Sequence, residues 1–318
     1  MDKWVFVALL ISFALSAILG PIVIPFLHRI KFGQTIREEG PQSHLKKNGT
    51  PTMGGVIFLI PVAVTSLFYM KQYPEVIPVL LMTLAFGVIG FIDDFVKVVL
   101  KRAMGLRAWQ KMSLEIIVTA GFAFYMLKSD MATLDIRIPF SGGHVVDIGI
   151  WALIILVIAV LGTVNGANFT DGLDGLASSV TSVIAVFFAV VSMTLNTGIA
   201  PICFAMLGGL LGFLLYNVFP AKVFMGDTGS LALGGFVIAC AYMTGTPIYV
   251  ILVAFIYLVE VMSVILQVSF FKITKGKRIF KMAPIHHHFE LCGWSETRVV
   301  AVFTIITILL AVISYIGL

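Results

Sequence analysis

Charge is what this 318-residue chain has least of. Asp, Glu, Lys and Arg make up 12% of it, against roughly 25% in a soluble globular domain. With 59% hydrophobic residues and a mean hydropathy of +1.06, that scarcity excludes an ordinary soluble fold. It points to an all-α membrane protein, because helices satisfy their own backbone polar groups in lipid. Cysteine is nearly missing too. Cys203, Cys240 and Cys292 are too widely spaced for a metal-site pattern, and a disulfide framework is not expected. No repeat, linker or low-complexity tract interrupts the chain, so 1–318 reads as a single polytopic domain. The first apolar segment is too long for a signal-peptide core and reads as a retained span.

What is there is a series of apolar runs, about ten: 4–27, 53–70, 76–92, 113–127, 148–164, 176–193, 199–218, 230–244, 248–271 and 299–317. The shorter ones need flanking residues to cross a hydrocarbon core of about 30 Å. Of the 21 Lys and Arg, all but Lys3, Lys71, Lys128 and Arg137 fall in the loops after odd-numbered runs. The positive-inside rule puts those loops in the cytoplasm and both termini outside. The longest outer connection, about 128–147, alternates through Leu134 to Ile138 and turns at Ser141 to Gly143, which predicts a small hairpin.

The few acids are not scattered. Asp93, Asp94, Asp171, Asp174 and Asp227 all lie at cytoplasmic ends of spans, where a carboxylate beside an apolar bundle marks a wet, functional cavity or caps a helix. Asp93 and Asp94 are adjacent, so on a helix they point about 100° apart and are not expected to act as identical groups. In Asn165 to Ala177, Asn168, Asp171 and Asp174 recur every third residue and share one side of a helical or turn-like path. Gly172 and Gly175 let backbone amides approach a ligand there. The run resembles a calcium loop but lacks the later bidentate Glu. Phe224 to Ser230 offers Asp227 for a hard cation and amides at a helix start for a phosphate, without the ending of a Walker A loop. Lys47 to Gly55 adds a cation, hydroxyls and glycines. His286, His287 and His288 stand together in the most basic cytoplasmic loop, suited to proton exchange or metal ligation.

Hard-cation carboxylates, phosphate-binding turns and lysines on one membrane face suggest phosphoryl transfer from a nucleotide-linked donor to a lipid. The segments Gly49 to Gly55, Asp93-Asp94, Asn168 to Leu176, Met225 to Ser230 and Pro284 to Glu290 occur in one order along the chain. Together they resemble the phospho-N-acetylmuramoyl-pentapeptide transferase family, over essentially the whole length. The resemblance implies a ten-helix homodimer in the bacterial cytoplasmic membrane, with the active site at the cytoplasmic face. It implies transfer of phospho-MurNAc-pentapeptide from UDP-MurNAc-pentapeptide to undecaprenyl phosphate, a membrane lipid, with Mg²⁺ as cofactor and no nucleic-acid partner. It makes Asp93, Asp94, Asp227, His286, His287 and His288 catalytic, with Asp227 the metal ligand. Lys47, Thr52, Asn168, Asp171, Asp174, Asn217, Phe224, Gln267, His286 and His287 would line the nucleotide-sugar site, Phe224 stacking on uracil and Asp174 accepting its N–H. Lys111, a lysine of the same face, joins the substrate-binding set. Asp93 is the expected general base, with a covalent Asp nucleophile as the alternative.

Two rival readings differ in what they require. A sister enzyme would transfer a GlcNAc phosphate to the same lipid, but relatives of that kind tend to interrupt the histidine triplet. An ion-coupled transporter would keep ionisable groups at the membrane midplane. Only Glu260 lies there, where it reads as interhelical glue with Gln267.

Overall fold

A computed structural model describes residues 3–30, 49–100, 102, 105–129 and 134–318. Lys47 lies outside these residues. Helices dominate: α1 (Val7–Arg29), α2 (Val56–Tyr69), α3 (Val76–Val98), α4 (Ala108–Lys128), α5 (Trp151–Thr170) and α6 (Leu176–Leu195). They continue with α7 (Ala200–Asn217), α8 (Gly226–Met243), α9 (Val250–Val253), α10 (Phe255–Ile273), α11 (Ile285–Leu291) and α12 (Glu296–Ile316). Among the described residues, seven helices are long and apolar enough to cross a membrane: α1, α3, α5, α6, α7, α10 and α12. α2 is apolar but has 14 residues, about 21 Å of helix. The chain is a multi-pass membrane protein of the all-α class.

Each apolar run of the sequence contains a helix, and the departures are physical. The ninth run is broken at Ala254, whose backbone leaves helical geometry between α9 and α10. α3 runs on to Val98 and α5 to Thr170, so Asp93, Asp94 and Asn168 lie on helices rather than after them. The histidine triplet, expected in a loop, sits on the short helix α11. The hairpin predicted in the 128–147 connection is present, β1 (Ile136–Arg137) pairing antiparallel with β2 (Val145–Val146). Its turn uses Gly142 and Gly143 at positive φ, 71° and 90°, where a side chain would be strained. The Ser141 hydroxyl donates to Ile138 O and accepts from His144 N–H.

α8 is the buried axis, with nearly every residue from Thr228 to Met243 enclosed. Small residues let its neighbours close on it, as helices pack in lipid without a hydrophobic drive. A Cβ on Gly90 of α3 would lie 2.0 Å from Asp227 O, and one on Gly234 would lie 2.4 Å from Val164 Cα of α5. α3 and α8 therefore touch backbone to backbone where the acids are. Outward faces carry Leu10, Ile18 and Phe26 on α1 and Ile308 and Leu309 on α12, all exposed. Such unbroken apolar surface is suited to lipid rather than water.

Candidate active site

The ends of α3, α4, α5 and α8 bring four sequence-selected residues into direct contact around Asp227. Lys111 Nζ, from the first turn of α4, lies 3.0 Å from Asp227 Oδ2. Lys97 Nζ, one turn beyond Asp93 on α3, lies 3.1 Å from the same oxygen and 2.5 Å from Asp93 Oδ2. Asn168 donates from Nδ2 to Asp227 Oδ1 (3.1 Å) and to Ser230 Oγ (2.8 Å), and its Oδ1 accepts from Lys111 at 3.3 Å. The second oxygen of Asp93 accepts from Leu106 N–H at 2.7 Å. Gly105, at φ 60°, lets that loop come close enough, because a Cβ there would meet Asp93 Oδ1 at 2.6 Å.

Asp94 has a different environment. Its carboxylate accepts from the Asp227 N–H (3.2 Å), the Thr228 N–H (2.9 Å) and the Thr228 hydroxyl (2.7 Å). It therefore caps the start of α8, satisfying amide donors that no turn of helix can reach. Asp171 follows α5 and accepts a hydrogen bond from the Gly226 backbone. Burial raises its carboxyl well above the ordinary carboxylate range, and the negative charges of Asp227 and Asp94 push it further. The residue keeps part of its surface open although protein surrounds the carboxyl itself.

Asp93 and Asp227 thus face two ammonium groups, with Asp94 at the start of α8 and Asp171 near enough to feel the charge of both Asp94 and Asp227, an excess of carboxyl groups that fits a hard cation. Among the described residues no three His, Cys, Asp or Glu side chains form a ready cage for a metal. Mg²⁺ does not need one, since it retains waters and takes one or two carboxylates together with phosphate oxygens. Asp227, the expected metal ligand, could give one such carboxylate.

The other predicted residues are placed differently. Thr52 is buried against Gly226, whose added Cβ would meet Thr52 Oγ1 at 2.8 Å. Phe224 is half-buried, and its backbone joins the 51–55 segment through Phe224 N–H to Pro51 O and Gly54 N–H to Phe224 O. Asn217 is spanned by structural bonds, accepting from the Ser178 hydroxyl and donating to Val223 O. Asp174 accepts from Ala221 N–H at 2.9 Å, and its own N–H donates to Glu296. Gln267 accepts from the Ile279 and Phe280 amides and donates to Phe280 O, so it fixes the loop after α10. Its expected partnership with Glu260 is not formed. Glu260 instead pairs with His286, Oε2 to Nδ1 at 3.0 Å.

The three histidines meet three surroundings. His286 is buried, and a Cβ on Gly172 would lie 2.2 Å from its Nε2, so its ring rests on the acidic turn after α5. His287 Nδ1 is 2.9 Å from Glu290 Oε2. His288 Nδ1 accepts from Lys281 N–H, and its Nε2 lies 3.7 Å from Cys292 Sγ. Sequence reasoning missed Lys97 and the roles of Ser230 and Glu260. Lys97 had a usable signal, since an acid and a lysine four residues apart share a helix face. Ser230 closed the Phe224 to Ser230 motif, but its tie to Asn168, like that of Glu260 to His286, joins residues remote in sequence.

A polytopic helical protein gathering carboxylates, lysines and an amide at one end of its bundle has the make-up of a membrane-embedded transferase. The pattern of glycosyl transferase family 4 matches residues 76–246, from α3 to the end of α8. Signature 1 of the phospho-N-acetylmuramoyl-pentapeptide-transferases matches residues 47–59. Relatives named phospho-N-acetylmuramoyl-pentapeptide-transferase are similar along the whole chain. One from Clostridium botulinum is 52% identical over 320 residues, covering 100% of this chain and 98% of its own. One from Acetivibrio thermocellus is 51% identical, covering 97% and 94%, and one from Clostridioides difficile is 48% identical, covering 97% and 96%. The chain belongs to the phospho-N-acetylmuramoyl-pentapeptide-transferase family.

Proposed function

We propose that this enzyme transfers phospho-MurNAc-pentapeptide from UDP-MurNAc-pentapeptide to undecaprenyl phosphate, giving lipid I and UMP. The observation that carries the reading is full-length similarity at about half identity, joined to the convergence of Asp93, Lys97, Lys111, Asn168 and Asp227. An oxygen of the lipid phosphate forms a bond to the sugar-bearing phosphorus as the bond to the UMP oxygen breaks. Both reactants are anions, so the site must neutralise charge before it can bring them together. Lys97 and Lys111 are the cations for the diphosphate. Mg²⁺, held by Asp227, would supply further neutralisation of phosphate oxygens.

Asp93 is the proposed base. A phosphomonoester with second pKa near ~6 is mostly dianionic at neutral pH, so only a residual proton needs an acceptor. Lys97 can leave Asp93 Oδ2 for the incoming diphosphate, which frees that oxygen. Asp94 acts by holding the Asp227 backbone, and Thr52, Asp171, Phe224, His286 and His287 border the donor. Lys47 is carried as a donor contact by the family resemblance alone. Asp174, Asn217, Gln267 and His288 serve through the loops they tie.

The same reading takes 1–318 as one transferase domain of ten spans in the bacterial cytoplasmic membrane, with both termini outside and the site facing the cytoplasm. Its support is the one-sided distribution of Lys and Arg. A homodimer is included because the family resemblance implies it. Donor choice tests the reading. Purified enzyme with undecaprenyl phosphate and Mg²⁺ should turn over UDP-MurNAc-pentapeptide and leave UDP-GlcNAc almost untouched. The reverse preference would move the enzyme to the sister reaction.

A further inference from the structure

Glu260, like Glu115 on α4, is an acid buried within a helix of the bundle. It is fully buried on α10, and its Oε1 has no hydrogen-bond partner. Its Oε2 meets Nδ1 of His286, itself 1% exposed. His286 Nε2 is also buried without a partner and faces Gly172. Two orphaned polar atoms on one buried pair are costly unless something else uses them. A Glu260 oxygen that accepts from Nδ1–H gives Nδ1 the donor role in this pair and leaves Nε2, turned toward Gly172, for another partner. That nitrogen lies against the turn between Asp171 and Asp174, at the donor side of the proposed site.

We propose that Glu260 is a positioning residue for the nucleotide-sugar, fixing the His286 tautomer so that Nε2 accepts an N–H or O–H of the bound donor. This rests on the transferase reading and adds a residue to it that no sequence motif contains. The logic is that of a carboxylate orienting a working imidazole through its far nitrogen. Gly172 belongs to the same device, since any larger residue would displace the ring.

Glu260→Gln keeps the shape but lets an amide N–H face Nδ1, which moves the imidazole proton to Nε2 and turns an acceptor into a donor. Expected is a rise in KM for UDP-MurNAc-pentapeptide of about ten-fold or more, with KM for undecaprenyl phosphate unchanged. Gly172→Ala should give the same donor-specific defect by displacing the ring. His286→Asn combined with Glu260→Gln should be no worse than His286→Asn alone. Wild-type donor KM in Glu260→Gln, or an equal rise for both substrates, overturns the proposal. Wild-type enzyme without transfer would instead defeat the transferase reading. The pair would then be judged by thermal unfolding of Glu260→Gln, His286→Asn and the double variant in detergent. Additive shifts would show that Glu260 does not hold His286 and would by themselves overturn the proposal.

Discussion

At the scale of single residues, Asp93 and Asp94 divide the work of one acidic pair. Asp94 spends its lone pairs on the first amides of α8, so Asp94→Ala should lower unfolding stability by about 0.5–2 kcal/mol. Thermal unfolding in detergent measures this, and an unchanged midpoint would remove the capping role. Asp93→Asn should leave stability close to wild type and cut turnover. Its defect should be greater at pH 6 than at pH 8–9, because the lipid phosphate loses its second proton unaided as pH rises past about 6. An equal defect across that range at saturating Mg²⁺ would make Asp93 a positioning group instead. The identity of these acids was legible in sequence because charge is so scarce that each acid stands out. Their division was only half legible. Helical spacing says that neighbours diverge, but the partners of Asp94 lie more than 130 residues away. Glu260 was misread for the same reason, since Gln267 was near in sequence and His286 was not.

At the scale of elements, the close seam between α3 and α8 sets where Asp227 stands. Gly90→Ala puts a methyl group into the Asp227 carbonyl. It should cost about 1–3 kcal/mol of stability and lower turnover together. Gly121→Ala on α4 meets nothing within 4 Å and should be neutral or stabilising by up to about 1 kcal/mol. Unfolding midpoints and turnover of the two variants check the contrast, and an unimpaired Gly90→Ala would show that the seam does not position the site. Hydropathy located every helix long and apolar enough to cross a membrane but ended several too soon. It stops at the first charge, whereas α3 carries Asp93, Asp94 and Lys97 inside its last turns because each finds a partner there. The break at Ala254 had no breaker residue to announce it, and α11 was hidden because its polar residues are held by packing and by Glu260 rather than by an apolar stripe.

At the scale of the whole molecule, the positive charge lies almost entirely on one side of the apolar runs. In a cysteine-free background, single cysteines at positions 100 and 280 should resist membrane-impermeant thiol reagents in intact cells. A cysteine at 142, in the hairpin turn, should label. Labelling at 280 from outside would reverse the orientation and put the acidic cluster on the wrong face for a cytoplasmic nucleotide donor. The central claim is that this cluster transfers a phospho-sugar to a lipid phosphate. It is tested most directly by measuring UMP and lipid-linked product from purified wild type and Asp227→Asn, with undecaprenyl phosphate, UDP-MurNAc-pentapeptide and Mg²⁺. Asp227→Asn keeps the side-chain shape but removes the charge that both lysines share. Wild type should release one UMP per lipid product and stop when Mg²⁺ is chelated. Asp227→Asn should unfold at the wild-type temperature and turn over about 100-fold more slowly or worse. A folded Asp227→Asn enzyme with wild-type turnover, or product formed without UMP, would contradict the account.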